Sequence, residues 1–259
     1  MMAGTDLMGR TAAVCRRIGR WLTLALLAAG ALLPLASRAA SVFEDSMAQR
    51  TLPCTLCHGK EGRAGPDGYY PRIAGKPAGY LFNQLRNFRD GRRHYGLMTA
   101  MVDPLTDTYL QEIANHFASL EIPYPAPQPA QIPAPALQRG AVLVREGDPA
   151  RKVPACVSCH GAALTGVWPN VPGLLGLPRD YLNSQLGAWR AGQRQAHAPD
   201  CMAQVLRHLQ DDELAAITGW LAAQPLPADP RAVRQPPVRV PGAASVACGS
   251  APELGGIAR

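Results

Sequence analysis

The sequence predicts an all-α chain built as two tandem helical units. Three observations carry this. A segment of the first half recurs in the second, with Pro71, Gly75, Tyr80, Gln84, Leu85, Arg89 and Gly91 matched by Pro172, Gly176, Tyr181, Gln185, Leu186, Arg190 and Gly192 at a constant offset of 101. Apolar residues in both halves recur at helical spacing, and no stretch shows convincing strand alternation. A proline-rich run separates the halves, and 259 residues suit about two domains of roughly 100 to 150 residues each.

Taken in chain order, residues 1–40 read as a secretory signal. Arg10, Arg16, Arg17 and Arg20 precede an apolar run from Trp21 to Ala36, and small residues follow at Ser37 to Ser41. The run is shorter than the roughly 20 residues that a membrane span needs. An uncleaved anchor is the competing reading, since Arg38 sits at the boundary. Cleavage near Ala39 or Ala40 would leave the chain in the periplasm. Of the formal charge of +7, the leader's five arginines and one aspartate account for +4, so +3 remains downstream. The basic character is therefore largely export signal, and a nucleic-acid partner is not expected. Arg86, Arg89 and Arg93 recur at helical spacing and read as a solvated helix face in preference to a docking patch.

Residues 41–121 form the first expected domain. Ser41 to Thr51 leads in as a helix, Gly79 to Asp90 is amphipathic, and Asp107 to Leu120 places Leu110, Ile113, Ala114 and Phe117 on one face behind an N-cap at Thr106 or Asp107. Residues 122–135 contain Pro123, Pro125, Pro127, Pro129, Pro133 and Pro135, and read as an extended, non-helical linker. The second domain, 136–224, repeats the pattern with helices at Gln138 to Arg145, Arg179 to Ala191 and Asp211 to Ala223. Asp211, Asp212 and Glu213 read as a solvated helix start, where negative charge suits the helix dipole. Residues 225–259 are again proline-rich and aperiodic, and read as a disordered or surface-wrapping tail.

Chemistry enters through Cys54-Thr55-Leu56-Cys57-His58 and Cys156-Val157-Ser158-Cys159-His160, two copies of the haem-attachment pattern Cys-x-x-Cys-His. Two cysteines one turn apart can each add to a vinyl group of one porphyrin, and the adjacent histidine then reaches the iron. Two covalently bound haem c groups would also supply the large apolar bodies that a chain with 6% aromatic residues lacks. A zinc or dithiol site explains one such motif, but not two in an exported chain with both histidines in place.

The repeat also points to the second axial ligands. Beyond Gly91 the offset becomes 104, matching Leu105, Asp107 and Ile113 to Leu209, Asp211 and Ile217, and on that register Met98 falls on Met202. Met101 falls on Val205 and is not repeated. Met98 and Met202 are therefore the expected iron ligands opposite His58 and His160, and thioether sulfur there raises the haem potential. His94 and His197, a few residues upstream, are the rival ligands. Pro71 and Pro172 follow their histidines by 13 and 12 residues, where a backbone carbonyl could accept the imidazole proton. Cys201 and Cys248, the cysteines left over downstream of the leader, suggest a disulfide pinning the tail over the second haem's distal side; two free thiols are the alternative.

These residues resemble the cytochrome c4 family of periplasmic two-haem cytochromes, over about residues 45 to 224. The resemblance rests on the paired haem motifs, the Pro-x-x-x-Gly segments, the Tyr-x-x-x-Gln-Leu helices and the segment Met98 to Asp107. It implies two class I cytochrome c domains with haem edges facing each other, and Met98 as the ligand of its methionine pair. It further implies electron transfer from a quinol-oxidising complex or a dehydrogenase to a terminal oxidase. A membrane surface is a further candidate partner. His116 departs from the family, which commonly has an aromatic residue there. So do the extra cysteine pair and the long tail.

Two protein ligands per iron leave no open site for a substrate, so an electron carrier is expected and not an enzyme. A dedicated cytochrome subunit of a periplasmic dehydrogenase, with the tail as a docking arm, is the first alternative. A two-haem peroxidase is the second, and would require one iron to lose its distal ligand.

Overall fold

The computed structural model describes residues 44–65, 67–234 and 246–257. The leader, and the start of the lead-in helix at 41–43, lie outside them. Among the described residues no helix is long and apolar enough to cross a membrane.

The first half begins with a short helix α1 (Met47–Arg50), whose N-terminus is held by Ser46 Oγ accepting from the Gln49 amide. The first haem motif lies on helix α2 (Leu52–His58), with Pro53 in its first turn, where a missing amide hydrogen costs nothing. Helices α3 (Ala78–Arg89) and α5 (Asp107–Ser119) pack Leu81 against Ile113, Ala114 and Phe117. Thr106 caps α5 as expected, its hydroxyl accepting from the Tyr109 amide at 3.3 Å. Between them stands a seven-residue helix α4 (Gly96–Val102), which closes a second apolar cluster of Phe88, Val102 and Leu110.

The chain then runs extended past Pro123 to Pro133, held to the first half by buried Arg72, which donates to the carbonyls of Ile122 and Pro123 and stacks on Tyr124. Helix α6 (Ala134–Arg145) starts inside the run that was expected to be non-helical. Pro133 is its N-cap and Pro135 lies within its first turn, so neither removes a helical hydrogen bond.

In the second half the haem motif ends on α7 (Val157–His160). A two-residue hairpin follows, β1 (Gly166–Val167) against β2 (Val171–Pro172), a small exception to the strand-free expectation. Helices α8 (Arg179–Arg190), α9 (Cys201–Leu206) and α10 (Asp211–Ala222) complete the half. Helices α6 and α10 cross closely because position 140 is glycine: a Cβ there would lie 2.7 Å from the Ala216 carbonyl carbon. Around this crossing the core gathers Leu143, Val144, Leu214, Ile217, Trp220 and Leu221.

At the start of α10 Asp211 and Asp212 are exposed as expected, but Glu213 is not. Glu213 is 6% exposed, and receives Arg151 Nη2 at 2.6 Å, Arg139 Nη2 at 2.7 Å and the Gln210 amide at 3.0 Å. The chain around Val233 and residues 246–257 wrap the second half. Val233 joins the hairpin by exchanging backbone hydrogen bonds with Gly166 and Trp168. Residues 246–257 return over the same hairpin, burying Ala251 and Leu254 against Val167 and Val171.

Candidate functional site

Both motif histidines are buried at the C-terminal ends of their helices. Each ring is oriented by the carbonyl singled out in the sequence: His58 Nδ1–H donates to Pro71 O, and His160 Nδ1–H to Pro172 O, both at 2.8 Å. A carbonyl only accepts, so Nδ1 carries the proton and Nε2 keeps its lone pair. Burial holds both imidazoles below their ordinary pKa, so they are neutral donors. After each histidine comes a glycine with positive φ, Gly59 at 72° and Gly161 at 84°, which turns the chain out of the helix.

Cys54, Cys57, Cys156 and Cys159 are free thiols, while Cys201 and Cys248 form a disulfide. Burial pushes the Cys156 thiol up to about 12 and raises Cys54 and Cys159. A neutral imidazole with a fixed tautomer beside two unpaired thiols, twice over, is a donor set that fits haem c.

Both methionines lie on short helices. Met98, on α4, packs partly buried against the Phe88, Val102 and Leu110 cluster, whereas Met101 is 46% exposed. Met202, on α9, packs against the second core directly after the disulfide cysteine. Of the rival histidines, His94 is exposed and His197 half-buried.

Other residues at the site escaped the sequence reading. Tyr70 meets the His58 ring edge-on at 6.2 Å and is flanked by Tyr69 and Tyr95. Lys76, only 5% exposed, crosses from the first half to donate to the Gly173 carbonyl at 3.3 Å, one residue beyond the Pro172 acceptor. Burial lowers its amine to about 8. Its counterpart in the repeat is Leu177, so the two haem surroundings differ by a cation. The motifs also differ in cover: Leu56 in the first is 87% exposed, while Ala155, just before the second, is buried and Cys159 packs against the returning tail.

No family model matches the chain. A thiosulfate dehydrogenase electron acceptor of Thiomonas intermedia is 37% identical over 174 residues, spanning 67% of this chain and 79% of the relative. A cytochrome c4 of Pseudomonas aeruginosa is 30% identical over 170 residues, spanning 65% of this chain and 82% of that protein. The chain belongs to the cytochrome c4 family. Its fold is accordingly all-α, two class I cytochrome c domains, and its cofactors are two covalently bound haem c groups. Like other cytochromes of this family it transfers electrons between redox partners, and is a carrier and not an enzyme. A solved thiosulfate dehydrogenase (TsdBA) of Marichromatium purpuratum superposes with a TM-score of 0.60 at 32% identity, over 67% of this chain. The chain spans only 36% of that longer polypeptide.

Proposed function

We propose that this cytochrome is the electron acceptor of a periplasmic dehydrogenase that oxidises thiosulfate, and that it passes the electrons to a terminal oxidase. The observation that carries this reading is the ranking of its relatives: a thiosulfate dehydrogenase electron acceptor is 37% identical, against 30% for the cytochrome c4. The longer thiosulfate dehydrogenase chain adds weight, because a stretch similar to this protein is there part of the enzyme polypeptide. Residues 1–40 supply the export signal. Residues 41–121 and 136–224 form the two haem domains, joined by 122–135, with 225–259 as the tail.

Within this reading Cys54, Cys57, Cys156 and Cys159 would hold the haems by thioether bonds, and His58, His160, Met98 and Met202 would ligate the irons. The haems supply one-electron redox chemistry. The chain's part is to fix both imidazole tautomers through Pro71 and Pro172 and to surround each iron with low-dielectric packing. Met98 is preferred to Met101 because it faces the core.

Oxidised protein mixed with a thiosulfate dehydrogenase and thiosulfate tests the partner. Reduction of both haems, dependent on both components and faster than that of an unrelated c-type cytochrome, is the expected result. Equal rates for the two cytochromes would remove the assignment and leave a general carrier.

A further inference from the structure

The chain has three lysines, of which Lys60 and Lys152 are exposed and Lys76 is buried. An ammonium taken out of water with too few acceptors is costly. Lys76 has three N–H donors, yet its one acceptor among the described residues is the Gly173 carbonyl of the other half. Packing alone does not call for a charge at this position. Its counterpart in the repeat, Leu177, fills the second core with an apolar side chain.

Both ends of the contact are fixed. Lys76 follows Gly75, which turns at a φ of 71° while its amide donates to Phe117 O at 2.8 Å, and precedes fully buried Pro77, the N-cap of α3. Gly173 is pressed against Thr165 across the hairpin: a Cβ on it would lie 2.8 Å from the Thr165 carbonyl carbon, and the next amide, of Leu174, donates to Leu164 O at 2.9 Å. The first half is built differently. There the residue after the proline acceptor is Arg72, whose guanidinium is committed to the carbonyls of Ala74, Ile122 and Pro123.

Gly173 directly follows Pro172, whose carbonyl holds the His160 ring, so the ammonium stands behind one of the two motif histidines. Its charge reaches that ring. Burial depresses the His160 imidazole and Lys76 adds to the depression, whereas at His58 the added charge is that of Arg93. We propose that Lys76 is a positioning residue for the second haem: an internal cation, supplied by the first half, that clamps Gly173 behind His160 and raises the reduction potential of the second haem alone. A fixed positive charge favours the state that holds the additional electron, so ferrous iron is stabilised relative to ferric. The two haems are thereby set independently although their motifs repeat. This rests on haem attachment at the second motif, which is checked separately, by counting two haems per chain by mass before any potential is measured.

The test is a spectroelectrochemical titration at pH 6, below the amine's value of about 8, of wild type, K76M, K76Q, K76R and R231Q. K76M removes the charge and the hydrogen bond, K76Q removes the charge and keeps an amide donor, and R231Q removes an exposed arginine paired with Asp229. K76M and K76Q are each expected to lower the reduction equilibrium constant of one haem by about tenfold, which is 59 mV for one electron, and to leave the other in place. K76R should recover most of the loss, and R231Q should change neither midpoint. C156S/C159S, which cannot attach the second haem, shows which midpoint belongs to the first. Midpoints of K76M and K76Q equal to wild type, equal shifts at both haems, or a shift confined to the first haem overturn the proposal. So does a K76R midpoint as low as that of K76M, which would reduce Lys76 to a packing role. Should K76M fail to retain haem, K76Q decides by the same criteria.

Discussion

Replacing both Cys201 and Cys248 by serine should loosen the tail from the second half. The disulfide closes a loop with a sequence separation of 47, for which the loop-entropy relation gives about 4 kcal/mol. The noncovalent ties of the same segment are of similar size. Asn83 donates to Ser250 O at 3.3 Å and Asn170 to Glu253 Oε2 at 3.0 Å, each worth about 1 kcal/mol. Burial of Leu254 adds about 2 kcal/mol. With the Gly249 amide on Pro199 O and the His197 amide on Ser250 Oγ added, the cross-link supplies somewhat under half of what holds residues 246–257. Guanidinium unfolding should show the double-serine variant less stable by about 2 to 4 kcal/mol. Limited proteolysis should cut its tail under conditions in which the oxidised wild type resists. Coincident unfolding curves together with equal resistance would refute the reasoning, by showing that the tail docks without the bond.

The Glu213 carboxyl is held down to about 2, chiefly by its hydrogen bond to Arg151, against an ordinary value of 4.5. It should add up to about 3 kcal/mol above pH 4.5, lost as pH falls toward 2, so stability of wild type minus E213Q should shrink over that window in denaturant titrations. Gly140→Ala should destabilise by about 1 to 3 kcal/mol, since its Cβ meets the α10 backbone, whereas Gly187→Ala, in open space on α8, should gain about 0.5 to 1 kcal/mol in thermal melts. M98A should abolish the near-infrared sulfur-to-iron band of one ferric haem, and M101A should keep both.

The haem motifs and the proline acceptors were legible, because covalent attachment and a fixed imidazole orientation demand given residue types at fixed separations. The long helices were legible for a related reason: each has one apolar face, and Thr106 marks the start of α5. Short helices were not. Met98 and Met202 sit on segments of seven and six residues, too brief for a 3.6-residue period to emerge, and such helices form only by packing. The start of α6 was hidden by Pro133 and Pro135, which suit a first helical turn as well as a linker. Arg93 was grouped with Arg86 and Arg89 by spacing alone, but α3 ends at Arg89 and Gly91, at a φ of 74°, turns the chain toward the other half. Arg86 and Arg89 do stay with surface carboxylates, Asp90 and Asp107. Glu213 was misplaced because its partners Arg139 and Arg151 come from far along the chain, and no local pattern reveals them.

In the proposed two-haem carrier each iron takes one histidine and one methionine. A spectroscopic redox titration of the purified, haem-loaded protein tests it most directly. Two one-electron steps at high potential, each with the spectrum of methionine-ligated iron, are predicted. A low-potential step with a bis-histidine spectrum, or a haem that stays high-spin and turns over peroxide, would contradict it.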